Sequence, residues 1–340
     1  MPVLGERHDF AHPVEGDQAW SESYYFNCYD PGTDTGFFTR IGVRPNEGTM
    51  DVGLSVWLPG GELAQLHAVR ECHVMTDSDL DVGGVRYERI EPMRVWRLTA
   101  GADASVRDLG DLGAATRTVP VAVDATFRAL TPAVGGDGQG RPGRGASAAT
   151  GQTVGKGHLE QAGRWRGAIT AGDTTWELGA ARGNRDKSWG PRRWGGPRMW
   201  RWFSINLGEP DAAPEEQVHL GGIRIGTDAG DLHRGWVWRD GAHAGIRDWQ
   251  VTTELAADGL THRVSHVKAT DKLDRVHDLR ADVIRVAPAL HDRDGRRTVV
   301  YEGLARWSYL GDDGHERSGH GISEYLHQLD DQGRPVVPIE

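Results

Sequence analysis

Only two cysteines, Cys28 and Cys72, occur in 340 residues, which excludes a disulfide framework and a thiolate zinc site. Both are expected as buried, reduced thiols. No stretch approaches the roughly 18 apolar residues of a membrane-spanning helix, and residues 1–10 carry Glu6, Arg7, His8 and Asp9 where a signal peptide has its apolar core. A cytoplasmic protein without integral membrane contact is the expectation. An excess of positive charge is also missing: charged residues make up 26% and the formal charge is −10, so nothing draws the chain as a whole toward nucleic acid. Repeated strand-helix alternation and a glycine-rich loop opening a helix are absent, which removes a doubly wound dinucleotide-binding fold. With no Gly-x-Ser-x-Gly elbow, the usual setting for covalent hydrolysis is lacking too.

Glycine (47 residues) and tryptophan (13 residues) are plentiful, a pairing that suits many tight turns around large aromatic fillers. Period-two alternation recurs along the chain. Met50, Val52, Leu54 and Val56 share one face opposite Asp51, Gly53 and Ser55, and the same pattern appears in Val119, Val121, Val123, Ala125 and Phe127 and in Trp249, Val251, Thr253 and Leu255. Between such strands lie Gly60-Gly61, Asp240-Gly241, Asp258-Gly259, Asp294-Gly295 and Asp313-Gly314, dipeptides that close antiparallel hairpins. The fold class is therefore all-β, an antiparallel meander or barrel. Residues 135–145 are nearly all glycine and polar, a composition that predicts a loop or linker. A boundary there gives two halves of barrel size, residues 1–155 and 156–340.

Residues 182–203 crowd arginine, tryptophan and turn residues around a single carboxylate, Asp186. Its chain neighbours Arg185 and Lys187 favour the ionised form, whereas burial beside Trp189 or Trp194 opposes it. A turn-capping aspartate among arginines stacked on tryptophans is the structural alternative. Within this segment, Gly183-Asn184-Arg185-Asp186-Lys187-Ser188-Trp189-Gly190-Pro191-Arg192 resembles the signature of the lipocalin-like AttH and carotenoid 1,2-hydratase superfamily. Glu22-Ser23-Tyr24-Tyr25-Phe26-Asn27 is similar to that superfamily's opening strand, His158-Leu159-Glu160-Gln161-Ala162-Gly163-Arg164 to the start of its second half, and Gly319-His320-Gly321-Ile322-Ser323-Glu324-Tyr325 to its closing strand. The opening motif resembles an uncharacterised branch more than the carotenoid hydratases.

The resemblance implies tandem lipocalin-like antiparallel β-barrels packed together, with an apolar pocket inside or between them. It also implies hydration, cyclisation or isomerisation of an unsaturated apolar molecule such as a terpenoid, steroid or aromatic, with Asp186 at the position of the proton donor. Tyr24 or Tyr25 is the candidate for orienting a hydroxyl. Glu302 shares a strand face with Val300 and Leu304, so it is a candidate buried carboxylate, the alternative being an exposed or Arg306-paired glutamate. Glu324 and Glu160 are further carboxylates able to divide acid and base roles. Tyr24, Tyr25, Trp189, Trp200 and Trp202 are candidates for an aromatic lining, and Arg185 and Arg192 for holding Asp186 or a polar end of the substrate. Fifteen histidines are present, yet the pairs His8 with His12, His262 with His266 and His315 with His320 lack a third ligand nearby, so neither a metal nor another cofactor is expected. The expected partner is an apolar small molecule, and oligomeric state stays open. A non-catalytic carrier of an apolar ligand is the competing reading.

Overall fold

The structure, a computed structural model, describes residues 1–108, 115–139, 145–213, 216–293 and 295–340. Residues 140–144 of the glycine-rich stretch and Asp294 of one turn dipeptide lie outside the described residues. Strands dominate, and the one α-helix among the described residues is the short Ala146–Thr153 (α1). None is long and apolar enough to cross a membrane. The chain divides into two compact units, one of residues 3–138 with 155–191 and the other of residues 1–2, 139–154 and 192–340.

The first unit is built from Trp20–Asp30 (β1), Thr35–Arg44 (β2), Thr49–Leu58 (β3), Glu62–Glu71 (β4), Asp81–Val82 (β5), Val85–Glu91 (β6), Val95–Asp108 (β7), Arg117–Ala129 (β8), Val134–Gly136 (β9), Gly157–Ala171 (β10), Thr174–Leu178 (β11) and Arg182–Pro191 (β12). Its sheet runs β10-β12-β1-β2-β3-β4-β7, and β8 pairs with both β7 and β10. The pairing therefore closes into a ring that leaves those strands no free edge. Alternation sets the inner face: Met50, Val52, Leu54 and Val56 are all buried in the core cluster, as the sequence predicts. Phe26 meets Tyr87 at 5.2 Å and Trp165 at 5.8 Å, both edge to face, and such ring pairs each contribute about 0.5–1.5 kcal/mol beyond area burial. Cys28 and Cys72 are buried free thiols.

The second unit is a closed barrel of Met199–Leu207 (β13), Val218–Thr227 (β14), Gly230–Arg239 (β15), Ala242–Leu255 (β16), His262–Asp271 (β17), Val276–Arg293 (β18), Arg296–Leu310 (β19) and Glu316–Leu329 (β20), in chain order. Asp240 and Gly241 both have positive φ, 55° and 70°, the backbone of a two-residue hairpin turn that matches strand twist. Phe203, Trp249 and Trp307 lie in its core.

The sequence boundary at 155 and this division differ, because β10, β11 and β12 belong to the first unit. β12 supplies the second hydrogen-bonding edge of β1 and β10 that of β8, edges that residues 1–155 alone would leave unpaired. The glycine-rich stretch is also not all loop. Gly135 pairs with Leu159 inside β9, and a Cβ there would stand 1.8 Å from the His158 carbonyl oxygen, so glycine permits the close pairing that composition reads as linker.

Candidate functional site

Asp186 lies on β12 between two strands, opposite Glu160 of β10 and Tyr25 of β1. Residues directly opposed across a sheet share a face, and so do residues two apart on one strand. His158, Glu160, Asp186, Ser188, Tyr25 and Ser23 consequently stand on one face of three adjacent strands. His158 Nε2 is hydrogen-bonded to Asp186 Oδ2 and lies 3.5 Å from Glu160 Oε1. The three side chains are 31%, 18% and 1% exposed for His158, Asp186 and Glu160, so the carboxylate of Glu160 is withdrawn from water while the histidine keeps solvent access.

The three donor atoms lie within 4.8 Å of one another, close enough for one cation, and the hydrogen bond between His158 and Asp186 is also a geometry in which an imidazole and a carboxylate can exchange a proton. Sequence reading set metals aside from histidine spacing alone and did not single out His158. The missed signal is the step of two from His158 to Glu160, which puts both on the face that carries Asp186 once β10 and β12 are paired.

Arg40 extends this polar face. It stands opposite Tyr25, donates from Nε to Ser23 Oγ at 2.7 Å and from Nη1 to Asp51 Oδ2 at 2.9 Å. Burial pushes the Asp51 carboxyl up, and the neighbouring Arg40 and Arg44 guanidiniums outweigh it, so the net shift is downward.

Several sequence candidates fall on the opposite face. Arg185 and Lys187 flank Asp186 in sequence but stand on the other face of β12 and meet other partners. Arg185 donates to Asp9 Oδ1 at 2.5 Å and to Gln161 Oε1 at 2.7 Å. Lys187 Nζ sits 2.5 Å from Glu22 Oε1 and donates to the carbonyls of His8 and Phe10. Its pKa is lowered by burial, an effect that Glu22 opposes. Tyr24 packs into the core against Trp96, with the Lys187 ammonium 5.1 Å from its ring. Burial, followed by the field of Glu22, drives its phenol well above the ordinary range. Trp189 stacks on His12 at 3.7 Å. Tyr24, Arg185 and Trp189 are thus built into the interior beside residues 8–12, and Tyr25 is the tyrosine that shares a face with Asp186.

The remaining candidates belong to the second unit. Trp202, Glu324 and Glu302 oppose one another across β13, β20 and β19. Trp200 Nε1 donates to Glu324 Oε1 at 2.5 Å, and the Arg192 guanidinium lies 5.5 Å from the Trp194 ring and 6.0 Å from that of Trp200. Glu302 is 5% and Glu324 9% exposed, so Glu302 is a buried carboxylate and not an exposed one. Its strand neighbours Val300 and Leu304 are buried as well.

A family model described as a domain of unknown function (DUF7064) matches residues 5–329. No curated protein matches the chain in sequence. Among solved structures, an AttH candidate (NE1406) from Nitrosomonas europaea superposes with a TM-score of 0.64 at 14% identity, covering 96% of this chain and 97% of that one. CghA with Sch210972 gives 0.58 at 12% identity, covering 92% and 89%. Kievitone hydratase from Nectria haematococca gives 0.57 at 14% identity, covering 90% and 88%. The fold is thus AttH-like, as the sequence motifs imply, and at these identities the likeness is one of fold.

Proposed function

This chain belongs to the DUF7064 family, and we propose that it is a lyase or isomerase of the hydratase, dehydratase or cyclase type. It acts by acid catalysis, through its own side chains, on an apolar unsaturated small molecule of the terpenoid, steroid or aromatic class. The observation that carries this reading is the hydrogen bond between Asp186 and His158, with Glu160 and Tyr25 beside it on one strand face. An aspartate bonded to an imidazole and neighboured by a withdrawn carboxylate holds a proton at a defined atom. The similarity in fold to a hydratase supports the class of reaction.

In the hydration direction, the proton leaves the His158–Asp186 couple for one alkene carbon, a C–H bond forms, and the π electrons that make it leave a cation on the other carbon. Water adds there and returns one proton to the couple. Dehydration runs the same steps backward; in cyclisation a second alkene attacks in place of water, and the cation this leaves on that alkene loses a neighbouring C–H proton to the couple, forming a new double bond. Tyr25 offers an aromatic face to the developing cation, and Glu160 adds negative charge near it.

The test is incubation of purified protein with a pooled lipophilic extract, followed by mass spectrometry of retained and altered compounds, with Asp186→Asn in parallel. The expected result is a product that differs from its substrate by one water or is isomeric with it, formed by the wild type and lost in the variant. Retention of one unchanged compound by both proteins contradicts the reading and makes the protein a carrier.

A further inference from the structure

Inside the β13–β20 barrel a second group of polar side chains lies apart from the Asp186 face. Arg201 projects inward from β13 and is 3% exposed. Its Nη1 donates to the carbonyls of Trp200 at 2.8 Å and Leu326 at 3.5 Å, and its guanidinium carbon sits 4.0 Å from the centre of the Tyr325 ring. His262 stacks on the same ring at 4.0 Å, with the planes 1° from parallel. The Tyr325 hydroxyl is within hydrogen-bond distance of Ser265 Oγ (2.9 Å) and Thr253 Oγ1 (2.8 Å). His327, two residues along β20, lies 6.0 Å from Tyr325 between ring centres.

Two features of this group are incomplete. His327 and His262 are fully buried, yet among the described residues neither ring nitrogen of His327 and only one of His262 has a hydrogen-bond partner. Buried polar atoms in folded proteins are nearly always bonded, so three orphaned nitrogens in one barrel point to a missing partner. Arg201 for its part has no carboxylate within ion-pair distance among the described residues. The carboxylate whose field reaches it, Glu340, is bonded to Arg224 at 2.5 and 3.0 Å. A desolvated guanidinium that meets carbonyls and the neutral Tyr325 side chain lacks the anion that normally offsets its burial.

We propose that the interior of this barrel binds a small organic anion, its carboxylate seated on Arg201 and an imidazole N–H of His327. A carboxylate supplies the negative charge that Arg201 lacks, and its oxygens accept from the imidazole. The body of such a ligand would lie against Met199 and Val299, which flank His327 on the neighbouring strands β13 and β19, and near Tyr301, whose ring centre is 6.4 Å from that of His327. Burial lowers both histidines to about 3, with the field of Arg201 adding to the effect. They therefore stay neutral at pH 7, each offering one donor and one acceptor nitrogen. Residues 336–340 lie over this interior, where Ile339 packs on the core cluster and Glu340 holds Arg224, so entry requires that segment to move.

Benzoate is the probe and benzyl alcohol, which lacks the charge, the control. Wild-type protein labelled with nitrogen-15 at histidine is titrated with each and followed by NMR, and thermal melts are run alongside. Saturable shifts of the His327 and His262 ring nitrogens with benzoate, absent with the alcohol, are expected. Arg201→Gln should weaken that response about tenfold or more, the loss of one charge-assisted pair. His327→Phe is the second variant should Arg201→Gln fail to fold, and it too should lose the benzoate-dependent rise in melting temperature. Unmoved histidine resonances at tens of millimolar benzoate would overturn the proposal, because the orphaned nitrogens would then be served by water alone. An equal response in wild type and both variants would also overturn it, by placing the anion elsewhere.

Discussion

In the first unit the inward-facing cations Arg185 and Lys187 meet Asp9 and Glu22, each at 2.5 Å. In the second, Arg201 faces inward at a similar depth and meets two carbonyls and a tyrosine ring. The same kind of strand, with charged residues on its apolar side, thus gives a neutralised interior in one unit and an uncompensated one in the other. The difference comes from what covers each interior. Residues 3–12 bring Asp9 down to Arg185, with the carbonyls of His8 and Phe10 on Lys187, whereas residues 336–340 bring Glu340 to Arg224. A buried ion pair is weak evidence for net stability, but removing one member of it is costly.

That contrast fixes the largest expected effect. Arg185→Met leaves the buried Asp9 carboxylate with only the Met93 backbone N–H and Arg89 at 4.0 Å, and should cost roughly 3 kcal/mol in denaturant unfolding. Arg201→Met orphans no carboxylate and should cost far less; equal losses would erase the comparison. Acidification should act in the opposite order. His262 and His327 have folded pKa values near 3, against about 6.5 when unfolded. Their contribution is complete above the unfolded value and is lost as pH falls toward 3, since only the unfolded chain takes up the protons. At pH 5 each histidine should remove roughly 2 kcal/mol, which melts recorded across pH will show, and His327→Phe should flatten that dependence by about half. Trp200→Phe removes the indole donor from the buried Glu324 carboxylate, with an expected cost of roughly 2 kcal/mol in thermal unfolding. The smallest stability effect belongs to Asp186→Asn, about 1 kcal/mol or less, because the amide can still hydrogen-bond to His158; a large loss there would make Asp186 a structural clamp.

The strands were legible from alternation alone, as Met50 to Val56 and Trp249 to Leu255 demonstrate, and motif resemblance led to the AttH-like fold. The partition of the chain was not legible. Glycine-rich composition marks a weakly ordered stretch, while the division depends on which strand edge needs a partner, a long-range matter that leaves no local trace. The same limit governs the site. Asp186 stands out in sequence as the one carboxylate in a basic segment, but its company of His158, Glu160 and Tyr25 is set by register between strands far apart in the chain. Arg185 and Lys187, its neighbours in sequence, stand on the other face because adjacent residues on a strand face opposite ways. The pairing of Glu302 with Glu324 is likewise a matter of register.

Two carboxylate groups therefore compete for the chemistry, one on each unit: Asp186 with Glu160, and Glu302 with Glu324. The most direct measurement is turnover by Asp186→Asn and Glu302→Gln side by side, on whichever compound the lipophilic extract shows to be converted. Loss of about a hundredfold or more in Asp186→Asn, with Glu302→Gln close to wild type, is the result predicted; the reverse pattern would contradict the account.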